Sequence, residues 1–247
     1  MALMCLVPGC TGDSGGYNTD LAKRLGESAT DLRVAVLELG RLPAAPPQFS
    51  PEQEANAVAI FSGDFEGISP ADLGELEAVA RRALRVTTRG LKAARATTRD
   101  LRSAGIDLQD PDVKASAEVR GFVESYNALV KTAVSEAGRY ERGLRAGVRS
   151  NRALVRALAV LYRGLETGEP DGVAQTMRRA ARSINDLARL DVSTRDDPPL
   201  PKVLNDAAAP LVADANSSED VSDLVELLQK RYPDSILADI LVAGQRP

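Results

Sequence analysis

Apolar residues recur every three or four positions along most of this chain, and the clearest stripe is Leu73, Leu76, Ala80, Ala83, Leu84, Thr87, Leu91, Ala94, Thr98 and Leu101. At the helical angle per residue these positions share an arc of about 100°. Ser69-Pro70-Ala71-Asp72 supplies a cap, a first-turn proline and a reciprocal acid, so the pattern predicts a helix from there to about Ala104. A second stripe, Phe122, Tyr126, Leu129, Ala133, Ala137, Tyr140, Leu144, Val148, Val155, Leu158, Tyr162 and Leu165, follows Asp110-Pro111. It predicts one long helix up to Leu165, with Gly138, Gly143 and Gly147 as places for a bend or a close neighbour.

Shorter elements surround these two. Leu21, Leu25, Leu32, Val36 and Leu39 predict a first helix from about Asp20 to Leu42, capped by Thr19. Ser50-Pro51-Glu52-Gln53 reads as a capping box opening a short helix with Val58, Phe61 and Phe65, closed near Gly63 and Gly67. Glu169-Pro170-Asp171 starts a helix to about Leu190, with Val173, Met177, Ala180, Ile184 and Leu187 inward. Asp196-Asp197-Pro198-Pro199-Leu200-Pro201 reads as a linker. Beyond it come an Ala-rich helix, a turn at Asn216-Ser217-Ser218, a helix with Val221, Leu224, Val225, Leu227 and Leu228, and a last one with Ile236, Leu237, Ile240 and Leu241. No segment alternates like a strand. The expected fold is all-α: an elongated antiparallel bundle over 19–190, a linker at 191–201 and a small C-terminal helical cap over 202–247.

Composition narrows the chemistry. The chain has 247 residues, no His, no Trp and two Cys. Without histidine, the commonest metal ligand and the usual acid–base group near neutral pH are missing. No phosphate-binding glycine loop, Cys-x-x-Cys or dinucleotide fingerprint occurs. A non-catalytic protein without cofactor or metal is therefore expected. A site made of carboxylates and arginine alone is the enzymatic alternative, and it would need a buried acidic cluster.

Charge is segregated. Residues 1–80 carry 4 basic and 12 acidic side chains, 81–190 carry 22 and 12, and 191–247 carry 5 and 11. The basic excess lies on the polar faces of the two long helices, with Arg85, Arg89, Lys92 and Arg99 on the first and Arg145, Arg149, Arg152 and Arg156 on the second. Two readings follow. One is a solvated face partly neutralised by the acidic ends of the chain; the other is an anion-binding surface for an acidic protein or an envelope polyanion such as anionic lipid, lipopolysaccharide or teichoic acid. No nucleic acid partner is expected, because aromatics for base stacking are few and no binding motif occurs. The oligomeric state is left open, since neither helix keeps a strict heptad.

The N-terminus offers an address. Leu6-Val7-Pro8-Gly9-Cys10 follows a short apolar run and precedes the polar stretch Thr11-Gly12-Asp13-Ser14-Gly15-Gly16-Tyr17-Asn18. This resembles the cleavage box of bacterial lipoproteins. The resemblance implies a signal segment, a lipid on Cys10, a flexible tether over the remainder of 1–18, and a membrane-anchored protein of the cell envelope facing periplasm or exterior. Cys5 would leave with the signal, so no internal disulfide would remain. Only nine residues precede Cys10 and none is Lys or Arg, so a start upstream of Met1 is expected with this reading. The alternative is an accidental match on a cytoplasmic coiled-coil or assembly protein, phage- or secretion-related, whose arginine face binds an anionic partner. Gly12-Asp13-Ser14-Gly15-Gly16 also resembles the nucleophile loop of chymotrypsin-like serine proteases, but with no histidine there is no general base for Ser14.

Overall fold

The protein is all-α, and no strand occurs among the described residues of its computed structural model. The structure describes residues 14–42, 49–62, 68–167 and 200–244, together with 175–176, 178–182 and 185. The helices are α1 (Ser14–Gly40), α2 (Pro51–Ser62), α3 (Pro70–Arg102), α4 (Pro111–Lys114), α5 (Ala117–Thr167), α6 (Leu200–Asp214), α7 (Glu219–Arg231) and α8 (Ile236–Gly244).

Local sequence signals set several of these ends. Ser50 Oγ accepts from Gln53 N at 3.2 Å while Gln53 Oε1 accepts from Ser50 N at 3.1 Å, the reciprocal pair that starts α2. Ser69 and Asp72 repeat it at α3, where Ser69 Oγ accepts from Asp72 N at 3.2 Å and Asp72 Oδ2 accepts from Ser69 N at 2.9 Å. Asp72 is held below its ordinary carboxylate range by hydrogen bonds from the Ser69 side chain and backbone. Ser218 caps α7 by accepting from Val221 N at 3.3 Å.

The chain divides into two compact units, one of Met1–Val34, Leu101–Thr132 and Leu204–Pro247, the other of Ala35–Asp100 and Ala133–Val203. The first unit thus takes in most of α1, α4, the start of α5 and nearly all of α6 to α8.

In the first unit, Leu21, Leu25, Leu32, Phe122, Tyr126, Leu129, Leu211, Val221, Leu224, Leu228 and Leu237 are buried. Polar ties fix the connections. Asn127 clasps the backbone of Ile106, donating Nδ2 to its carbonyl at 2.9 Å and accepting its N–H at 2.8 Å. Arg24 reaches Asp110 at 2.7 Å and Asp112 at 2.8 Å. Ser28 bonds both the Ala104 carbonyl and the Tyr126 hydroxyl.

The second unit is organised by a helical hairpin. Leu73, Leu76 and Ala80 of α3 pack with Leu154, Ala157, Leu158 and Leu161 of α5, joined by Ile60 and Ala180. Further along, Leu91 and Ala94 pack with Leu144 and Val148. Rising numbers on α3 meet falling numbers on α5, so the pair is antiparallel. Between the two clusters, buried Asn151 donates to Thr87 Oγ1 at 3.3 Å.

Several sequence expectations change. The helix expected to run unbroken from Pro111 to Leu165 is two, because the helix is interrupted at 115–116. There Ser116 Oγ donates to Glu118 at 3.0 Å and accepts from Val119 N at 3.4 Å, a fresh start signal. Helix α1 begins at Ser14, ahead of the Thr19 cap and inside the stretch expected to be a tether. At Gly143 a Cβ would meet nothing within 4 Å, so this glycine marks no close helix contact. Leu200 and Pro201, read as linker, open α6. Cys10, Phe65, Val173, Met177, Ile184, Leu187, residues 191–199 and the side chains of Phe61 and Leu165 lie outside the described residues.

Candidate anion-binding face

The α3–α5 hairpin gives the arginines their geometry. Along 81–99 and 139–163 there are thirteen Arg and one Lys, and Glu141 is the sole acid. The apolar seams of both helices are spent on each other, so these long side chains are left on the outward flanks. Arg85, Arg89, Lys92, Arg99, Arg145, Arg149, Arg152 and Arg156 are all exposed.

Whether two rows on two helices share a face depends on the helix pairing, and Glu141 resolves it. Its Oε1 accepts from Arg145 Nη2 of its own helix at 2.5 Å and from Arg95 Nε of α3 at 3.3 Å. Arg95 and Arg145 therefore lie on one side of the hairpin. Lys92 and Arg99 flank Arg95 on α3, and Arg149, Arg152 and Arg156 continue from Arg145 at four- and three-residue steps, so these extend along that side, while Arg85 and Arg89 lie about 80° and 120° further round the polar face of α3. Burial pushes the Glu141 carboxyl up, but the hydrogen bonds and charges of Arg145 and Arg95 outweigh it and hold the group below its ordinary value.

Most of the remaining cations singled out from the sequence have no ion partner among the described residues. Arg99 pairs with Asp100 of its own helix at 3.9 Å. Arg85, Arg89, Lys92, Arg149, Arg152 and Arg156 make no ion pair or hydrogen bond with a described residue. The acids expected to fold against this face from the two ends of the chain do not pair with these six among the described residues. Other arginines do find partners, such as Arg81 with Glu77 at 2.5 Å and Arg139 with Glu136 at 2.7 Å.

The eight cations singled out from the sequence do not include Arg95, which the spacing also puts on the polar face of α3, and Glu141 was passed over. The signal was a lone acid inside a run of arginines. Among the described residues no group of three or more Cys, Asp or Glu is placed to hold a metal ion. No described helix is long and apolar enough to cross a membrane.

No protein-family model, curated protein or solved structure matches this chain.

Proposed function

We propose that this protein is a non-catalytic binding module of the bacterial cell envelope, held at a membrane by a lipid on Cys10, whose α3–α5 arginine face takes an anionic partner. The observation that carries the binding role is the row of six cations without a described partner, Arg85, Arg89, Lys92, Arg149, Arg152 and Arg156. Like charges this close repel one another, and a ligand of opposite charge relieves that repulsion on binding. Arginine suits such a ligand, since its planar guanidinium grips phosphate or carboxylate through two parallel hydrogen bonds.

The address rests on the resemblance of Leu6-Val7-Pro8-Gly9-Cys10 to the lipoprotein cleavage box. Two measurements test the two halves. Inorganic polyphosphate titrated into the full chain should bind with an affinity that falls steeply as salt is raised; absence of binding at low salt removes the anion-binding role. Expression with the upstream genomic sequence in a bacterial host, followed by the mass of the N-terminal peptide, should give an acylated Cys10. An unprocessed peptide retaining Met1 in the soluble fraction replaces the envelope reading with that of a cytoplasmic assembly protein.

A further inference from the structure

Resting on the anion-binding reading above, we propose that the partner of this face is the surface of an anionic phospholipid bilayer, along which the α3–α5 hairpin lies flat.

The layout of the charges favours this partner. The α3 row from Arg85 to Arg99 runs about 21 Å along its helix and the α5 row from Arg145 to Arg156 about 16 Å, at 1.5 Å per residue. Packed helices lie roughly 8–10 Å apart, so the two rows make a two-dimensional array of cations. A small anion needs donors converging on one point. A linear polymer presents its charges along one line. A leaflet of anionic headgroups offers phosphates in two dimensions, matching the array.

Side-chain type agrees. Seven of the eight cations are Arg and only Lys92 is not, and the guanidinium fork fits a phosphodiester. Nucleic acid would also present phosphates, but unpaired bases need aromatic platforms. Tyr140 and Tyr162 are the hairpin's aromatics over 81–99 and 139–163, and both are partly buried, Tyr162 against the core. A lipid on Cys10 would also keep the chain at a bilayer surface, where a basic hairpin meets anionic headgroups.

The test uses the full chain without its lipid, in flotation with vesicles of phosphatidylcholine alone and of equal parts phosphatidylcholine and phosphatidylglycerol. Wild type should float with the anionic vesicles only and be released by salt. The variant R85Q/R89Q/R149Q/R152Q should lose binding on the order of several hundredfold, at about fivefold per cation near the surface. Since all four side chains are exposed and unpaired among the described residues, its helical circular dichroism should match wild type. K230Q/R231Q, which removes two cations from α7, should bind like wild type. Binding of the fourfold variant at wild-type strength overturns the inference. Arginine-dependent binding of polyphosphate with none to anionic vesicles overturns the membrane partner while leaving the anion-binding role, and the ligand is then a soluble polyanion or acidic protein. Failure of both probes removes both.

Discussion

Asn151 donates its side-chain amide to Thr87 Oγ1 at 3.3 Å, and each residue is about 1 % exposed. Thr87 Oγ1 donates its own hydroxyl to the Ala83 carbonyl at 2.7 Å. The pair is a polar bridge between α3 and α5, between two clusters of buried Leu, Ala and Val. A slip of the hairpin by one residue would bury an amide without its acceptor, so the bridge pins the register. Asn151→Ala should lower stability to urea by about 1–3 kcal/mol, from a lost hydrogen bond and an unfilled cavity. Combined with Thr87→Val, the loss should be smaller than the sum of the two single changes. Strict additivity would mean that the two side chains are not coupled.

Gly26 lies against the ring of Tyr232 so closely that a Cβ at residue 26 would overlap ring atoms. Gly26→Ala should therefore destabilise: overpacking costs about 1–3 kcal/mol, partly offset by the gain of about 1 kcal/mol for Ala over Gly in a helix. In a Tyr232→Ala background the obstacle is gone and only the helical gain remains. The same glycine substitution should then be neutral or stabilising in thermal melts, and a constant cost in both backgrounds would refute the ring as its cause.

Lowering the pH should expose the role of Glu141. Burial raises its folded-state value, but Arg145 and Arg95 outweigh that and leave it depressed, so its contribution to stability is present above the ordinary carboxylate range and lost as pH falls through the folded value. Glu141→Gln should flatten the acid side of the stability profile. At neutral pH it also removes one negative charge from the face, so polyphosphate should bind the variant more tightly. Weaker binding would show that the carboxylate's hold on the two guanidiniums matters more than its charge.

Tyr126 should respond at the alkaline end. Burial raises its phenol well above the ordinary value, with the Ser28 hydrogen bond acting the other way. The un-ionised ring thus contributes stability below the unfolded value of about 10, and that contribution fades as pH rises above it. In an ultraviolet titration of the five tyrosines, one phenol should ionise only together with loss of helical circular dichroism. Tyr126→Phe should remove that step, at a cost of about 1 kcal/mol for the lost hydrogen bond.

What the sequence made legible is periodic or local. The buried face of α3 is the predicted stripe, because a helix covered along one side repeats its apolar residues at fixed angles. The capping pairs at Ser50–Gln53 and Ser69–Asp72 needed only four consecutive residues to recognise. The interruption at 115–116 was hidden because Val113, Val119, Phe122 and Val123 stay apolar across it. Ser116 followed by Glu118 was its local sign. Contacts distant in sequence left no such trace: Gly26 and Tyr232 meet through tertiary packing alone, as do Asn127 and Ile106 across a turn. For the arginine face, each helix's row could be read from spacing. Their union on one side required the rotation of α3 against α5, which Glu141 records.

The two units are interleaved along the chain, and this bears on synthesis. Ala35–Asp100 and Ala133–Val203 are both complete before residue 204 is made, whereas the other unit draws its last segment from Leu204–Pro247. A nascent chain emerging from the ribosome can bring the arginine hairpin together while Leu21, Leu25, Phe122 and Tyr126 still lack the buried leucines of α6 to α8. The unit that holds the N-terminus is thus the last to close, and a ribosome stalled before residue 204 would present a formed basic face while the other hydrophobic core is still unfinished.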